Sequence, residues 1–166
     1  MKFALCAAVA CLASLVPLAS CGPSAPPSTM KVTVGGKTFD CKLAADTASR
    51  EQGLGGVASL GPDEGMLFAF PDSDIRRFWM RRCVMDLDIA FIDPFGFVTA
   101  VHTMPKEELQ RADETEDAYL ARLKGYPSVY PAQFALEVAP GTLAPLGVTR
   151  GSRAEFDREA LKRLAK

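Results

Sequence analysis

Apolar and polar residues alternate with period two over much of this chain, and that period predicts strands. Val32 and Val34 alternate with Lys31 and Thr33. After Gly35-Gly36, Phe39, Cys41 and Leu43 alternate with Thr38, Asp40 and Lys42. Both glycines accept positive φ, so residues 30–44 read as a hairpin with one buried face. The next stretch, DTASREQG over residues 46–53, reads as a short helix. Asp46 or Thr47 accepts from its unpaired amide hydrogens, and Gly53 supplies the stop. Gly55, Gly56, Gly61 and Pro62 then predict an irregular loop.

The densest apolar patterning outside the N-terminus runs from Glu64 to Met104, which also holds the only Trp and the only His. Gly65 to Phe70 is an apolar run of strand length, closed by Pro71-Asp72. Arg76 to Cys83 alternates poorly, with Phe78 and Met80 on one side and Trp79, Arg81 and Cys83 on the other. Leu87, Ile89 and Phe91 keep period two, and Asp93-Pro94-Phe95-Gly96 is a turn before a return strand to Met104. This is the clearest hairpin of the chain.

From Pro105 to Pro131 the chain is charged, with Tyr119, Leu120 and Leu123 as a narrow apolar stripe. It predicts one or two short surface helices whose charges form a solvated face. Tyr126-Pro127 and Tyr130-Pro131 force extended backbone. Phe134, Leu136 and Val138 predict a further strand, and Thr142 to Gly147 a single helical turn. Ser152 and Glu155 have capping-box spacing, which predicts a helix running to Lys166 and docking weakly through Phe156, Ala160, Leu161 and Leu164. The expected fold class is mainly β (α+β): one small domain, a curled sheet or partly open barrel, with two or three short peripheral helices. Residues 30–151 are its body and 152–166 a C-terminal amphipathic helix.

The N-terminus is an address rather than a fold. Lys2 precedes an uncharged apolar run from Ala4 to Leu18, too short for a comfortable membrane span. It ends in Leu18-Ala19-Ser20-Cys21, which resembles the lipobox of bacterial lipoproteins. The resemblance implies cleavage after residue 20 and acylation of Cys21 by diacylglycerol and a fatty acid such as palmitate. Several acyl chains hold a protein to a membrane far better than one. Gly22 after the Cys implies passage to the outer membrane in a two-membrane cell, facing the periplasm. The Pro/Ser-rich residues 21–29 then form a solvated tether. An ordinary cleaved signal peptide is the alternative.

The formal net charge is −1, and −2 once Lys2 is removed with the signal. Nucleic acid as a partner would call for a basic excess, so none is expected. Of the five cysteines, Cys6 and Cys11 leave with the signal and Cys21 carries lipid. Cys41 and Cys83 remain, in an export compartment that permits disulfides. They read equally as a disulfide or as two separate buried thiols, since spacing does not report Cα distance.

Candidate chemistry concentrates in the centre. Asp86 and Asp88, two apart, share a strand face and suit acid–base work on glycosidic bonds. Asp88, inside an apolar strand, alternatively pairs with Arg77, Arg81 or Arg82. Glu64 and Glu137 are lesser members of the same group. His102 reads as a base or ligand, or more simply as an imidazole bonded to a backbone carbonyl. Met66, Met80, Met85 and Met104 with Cys83 and His102 are soft ligands of the kind Cu(I) takes, but no Met-x-x-Met or Cys-x-x-Cys spacing accompanies them. Core filling explains the methionines, so no metal or cofactor is expected. Trp79, Tyr126 and Tyr130 suit the C–H faces of sugar rings, although Trp79 alone reads as core. No nucleophile elbow, His-Glu-x-x-His or phosphate loop is present.

Four segments in order, Glu64-Gly-Met-Leu-Phe68, Phe78-Trp79-Met80, Leu87-Asp88-Ile89-Ala90-Phe91-Ile92 and Pro131-Ala-Gln-Phe-Ala-Leu-Glu137, together resemble the family called domain of unknown function 192, also uncharacterised protein family 0127. Arg50-Glu51-Gln-Gly53-Leu54 resembles the family's first helix and its exit. The resemblance, over roughly Val32 to Gly151, implies a compact β-rich domain, often exported, with no established reaction. It breaks at Arg81-Arg82-Cys83, where the family typically shows a Lys-Asn-Thr-like stretch. The expectation is a membrane-anchored monomer that binds a ligand or partner, a glycan or an envelope protein, near Trp79, Arg81, Arg82, Tyr126 and Tyr130 without catalysis. The rivals are an envelope hydrolase using Asp86, Asp88, Glu64 or His102, and an accessory subunit of an envelope complex.

Overall fold

The structure, a computed structural model, describes residues 27–166. The signal sequence and Cys21 lie outside them. The element order is β1 (Thr29–Val34), β2 (Lys37–Ala44), α1 (Thr47–Gln52), β3 (Glu64–Asp74), β4 (Arg77–Phe78), β5 (Leu87–Ile92), β6 (Val98–Met104), α2 (Glu116–Arg122), β7 (Tyr126–Pro127), β8 (Ala132–Val138), β9 (Ala154–Glu155) and α3 (Arg158–Leu164). Seven strands form one curled half-barrel sheet in the order β6-β5-β8-β3-β2-β1-β9, and β4 and β7 pair as a separate ribbon. All pairings are antiparallel except β2 with β3.

Both expected hairpins are present. Gly35 and Gly36 take φ of 57° and 77°, and Val34 pairs with Lys37 across them. Two consecutive positive φ values are what a tight hairpin turn needs to match strand twist. β5 and β6 pair from Leu87–Met104 to Ile92–Val98, with an irregularity after Phe91. The Asp46 carboxylate accepts from the Ser49 amide and caps α1, and Gly53 ends it at φ 49°.

The central strands decide the architecture. β8 lies between β3 and β5 and is buried along its whole length, as is β5. Period two sends their side chains alternately to opposite faces of the sheet. Phe134, Leu136 and Val138 join Val32, Phe39 and Leu67 in one apolar cluster. Ala135 joins Leu87, Ile89, Phe91, Met80 and Cys83 in another. Both faces of the sheet are therefore covered. Gly65 allows β3 and β8 to approach, because a Cβ there would lie 2.8 Å from the Glu137 carbonyl oxygen.

Several expectations are corrected. Ala154 and Glu155 are not the first turn of a helix; they form β9 against Val34 and Thr33 of β1. The outer edge of β1 takes their backbone bonds, and the Ser152 hydroxyl instead accepts from the Thr149 amide. The helix starts later, capped by Asp157. Nor does it dock weakly. Leu161 is fully buried, Phe156 meets Phe134 edge-on at 5.1 Å, and the Lys166 amide donates to Ala45. β3 continues past Pro71 to Asp74 through a register shift. Only Arg77–Phe78 of the 76–83 stretch is strand.

Candidate functional site

A cleft of about 270 Å³ opens on the second face of the sheet. One wall is α1 and the turn after it, from Thr47 to Gly55. Phe68 and Phe70 of β3, the two residues of β4, and Trp79, Arg81 and Cys83 after it form the other. The walls are tied together where the Gly56 amide donates to the Arg82 carbonyl at 2.9 Å. Phe78 stands edge-on to Phe68 at 5.0 Å and to Phe70 at 6.2 Å, so the lining is a fixed aromatic cluster.

The poor alternation of residues 76–83 has a structural cause. After the two residues of β4, Met80 turns inward, Trp79 projects outward, and Arg82 takes φ 57°. The Cys83 amide then donates back to Met80, which folds Cys83 into the core. Trp79 is consequently 48% exposed, at the cleft mouth, and is not the core residue its apolarity suggests. Arg82 reaches this left-handed conformation with its amide donating to the buried Tyr119 hydroxyl at 2.8 Å.

Glu137 lines the cleft from below. Its residue neighbours across the ladders are Met66 of β3 and Ile89 of β5, and it is only 4% exposed. Burial pushes its carboxyl up to about 8, and neither a hydrogen bond nor a nearby cation offsets that burial. Burial thus favours the carboxylic acid over the carboxylate at neutral pH. The Cys83 thiol is in the same lining and is pushed up to about 12, first by burial and then by Glu137.

The cleft cations differ in how they are held. The Arg50 guanidinium donates to the Ala69 carbonyl at 2.9 Å and the Lys166 carbonyl at 2.7 Å, and lies over Phe70. Arg81 donates through Nε to Glu116 at 2.8 Å. Arg77 lies so close over Gly125 that a Cβ there would sit 1.8 Å from its Nε. Among the described residues Arg77 has no carboxylate partner.

The residues expected to form a ligand site do not all meet. Trp79 and Arg81 line the cleft, whereas Arg82 lies beside it. Tyr126 is buried against His102, with ring centres 5.7 Å apart. Tyr130 belongs to a separate shallow hollow with Phe95, Phe97 and Arg150, whose guanidinium stacks on it at 4.1 Å.

Each of the four acid–base candidates makes a hydrogen bond within the fold. Asp88 is 2% exposed and meets no Arg; it accepts from Thr103 Oγ1 at 2.9 Å and from the Thr142 and Leu143 amides at 2.8 and 3.0 Å. Asp86 lies before β5 and accepts from the Lys106 amide. Glu64 accepts from the Gly61 amide. The His102 Nε2–H donates to the Pro127 carbonyl at 2.7 Å, the backbone bond expected of a structural imidazole. Glu137, a lesser member of the carboxylate group, is the buried acid in the cleft. Its signal was an ionisable residue inside an otherwise apolar strand.

Cys41 and Cys83 are both free, buried thiols, so the disulfide alternative is set aside. They occupy separate apolar clusters divided by the sheet. Burial also pushes Cys41 up to about 12. Little thiolate is present at pH 8, so both should resist iodoacetamide in the native chain. Both should alkylate once the chain is denatured without reductant. Mass spectrometry checks this, and an unlabelled pair after denaturation would restore the disulfide.

Fold and cleft together define a class: a β-rich half-barrel domain with an aromatic cleft over a buried acid. The chain belongs to the DUF192 family, whose model, described as uncharacterized ACR, matches residues 30–156. A candidate transcription regulator from Sinorhizobium meliloti 1021 is similar, at 29% identity and a TM-score of 0.63 over 82% of this chain and 99% of that one. A protein of unknown function from Novosphingobium aromaticivorans DSM 12444 is similar at 28% identity and a TM-score of 0.59, over 76% of this chain and 83% of that one. Among curated proteins none matches.

Proposed function

We propose that this domain is a small-molecule-binding module, held at the bacterial envelope by a lipidated Cys21, with its ligand in the cleft above Glu137. One observation carries the reading: a buried acid without a protein partner lines an aromatic cleft. Glu137 makes no hydrogen bond or ion pair within the described residues, so its carboxyl is free to meet a partner that enters the cleft. The size limits that partner. At about 270 Å³ the cleft is just under the usual lower bound of about 300 Å³ for small-molecule sites, which suits one ring rather than a polymer. A glycan would enter as a single sugar unit stacked on the Trp79 ring. Tyr130, in its separate hollow, lies outside this contact.

A ligand-observed NMR screen of single-ring fragments tests the reading. Binders should be lost or weakened at least tenfold by Trp79→Ala and by Glu137→Gln, which changes the acid but keeps its shape. Fragments that bind both variants like the wild type would place the site elsewhere. A hydrolase is the second reading, favoured by Glu51 lining the same cleft as Glu137. A protonated Glu137 beside a second carboxyl group has the makings of a general acid with its partner. Turnover of a glycoside that is abolished by Glu137→Gln and retained in Asp88→Asn would favour it.

A further inference from the structure

We infer that the cleft takes a small zwitterion: a protonated amine paired with Glu137, on a molecule whose carboxylate or phosphate meets Arg77. The inference rests on the cleft being a ligand site and adds the charges of the ligand.

Two observations point to a cation on the inside. The Glu137 carboxyl has no ion-pair partner among the described residues, although it is buried. An ammonium group makes charge-assisted hydrogen bonds to a carboxylate, stronger than a neutral donor would make. The walls also suit a cation, since aromatic faces attract positive charge. This wall already does so: the guanidinium groups of Arg50 and Arg76 lie over Phe70 at 5.2 and 4.2 Å. Phe78 and Trp79 offer further rings.

The anion follows from the outer charges. Arg50 and Glu51 line the cleft from α1, and Arg77 and Arg81 line it from the opposite wall, which also carries Cys83. Arg50 is engaged by backbone carbonyls and Arg81 by Glu116. Arg77 alone of these arginines has neither a hydrogen bond to a carbonyl nor a carboxylate. Its side chain passes over Gly125, where the missing Cβ leaves it room, and it lines the cleft.

A ligand that brings an ammonium to Glu137 must displace its proton. Burial without an offsetting cation or hydrogen bond pushes the carboxyl up to about 8 and favours that proton at pH 7. Binding is therefore coupled to release of nearly one proton per ligand, and no oxidant or other reactant is involved.

Isothermal titration of the purified chain at pH 7, in two buffers of unlike ionisation heat, reads this release. The probes are phenylalanine, 2-phenylethylamine, 3-phenylpropionate and 2-phenylethanol: one ring with both charges, the cation alone, the anion alone and neither. Phenylalanine should bind best and phenylethylamine about tenfold less well, each releasing close to one proton. Glu137→Gln should weaken both amines at least tenfold and abolish the release. Arg77→Gln should bring phenylalanine down to the phenylethylamine level while release persists. Phenylethanol or phenylpropionate binding as tightly as the amines, without proton release, would overturn the zwitterion and leave the cleft as a ligand site. Failure of all four would overturn the zwitterion, and with a blank fragment screen as well it would overturn the ligand site too.

Discussion

The stability of this chain should fall as pH rises from about 4.5 to about 8, and Glu137→Gln should remove that fall. In the unfolded chain the carboxyl loses its proton near 4.5, whereas in the folded chain burial holds it to about 8. Between those values the folded state binds one more proton, so each step up in pH favours unfolding. The contribution is fully present below 4.5 and is lost as pH climbs through 8. From 4.5 to 8 is 3.5 pH units, which at 1.36 kcal/mol per unit is on the order of 5 kcal/mol. That is a large share of the roughly 5–15 kcal/mol available to a domain. Ion-paired carboxylates act in the opposite sense. Arg76 holds Asp72 low, Arg111 holds Glu108 low and Lys162 holds Glu159 low. All three are solvent-exposed, and their influence is confined below about pH 4.5, their ordinary range, so the windows do not overlap. Urea titrations at pH 5 and pH 8.5 check this. Wild type and Glu137→Gln should be similar at the lower pH, and the variant should be the more stable at the higher. Parallel pH profiles would mean that Glu137 is not held protonated.

Asp88→Ala should be the most damaging single change in the carboxylates. The side chain ties β5 to two other segments: β6 through Thr103, and the loop after β8 through the Thr142 and Leu143 amides. Leu143 is fully buried in the first apolar cluster, so this loop closes that face of the core. Alanine would strand two amide hydrogens at about 1–3 kcal/mol each, for a total loss of roughly 3–5 kcal/mol. Asp88→Asn is the informative control. Its carbonyl can still accept from both amides, and the Thr103 hydroxyl can reverse to accept from its NH₂, so the loss should be about 1–2 kcal/mol. Chemical denaturation separates the two variants. Equal losses would show that charge rather than hydrogen-bond geometry holds the loop.

These two acids show how far the pattern of the chain could be read. Asp88 and Glu137 both interrupt apolar strands, and on sequence both are ionisable residues that need a partner. The pairing of β5 with β8 places them on opposite faces, because Asp88 lies across from Val138 and Glu137 across from Ile89. Asp88 meets amides on its face, and Glu137 meets a cleft. Strand period reports that neighbours alternate; it does not report which segment, tens of residues away, will cover each side. The same gap explains Trp79. Phe78 and Met80 were legible as one side of an irregular strand, but only the turn at Arg82 shows that the intervening Trp79 faces solvent. The three aromatics expected to act together were likewise distributed by tertiary pairing: β4 with β7 buries Tyr126, while Tyr130 passes to the far hollow.

What the sequence determined alone was local and strong. Gly35-Gly36, Asp93–Gly96, the Asp46 cap and the alternation of β1, β2, β5, β6 and β8 specify hairpins and a helix through short-range sterics and hydrogen bonds. The ordered motifs from Glu64 to Glu137 were enough to mark the family. The tertiary structure decided what lies over each strand: β9 took Ala154 and Glu155 from an expected helix, and α3 closed on the core. It also decided which acid faces a cleft. That follows from β8 being placed between β3 and β5 with both faces covered, where an outward-facing position ceases to be outward and a glutamate becomes a buried acid.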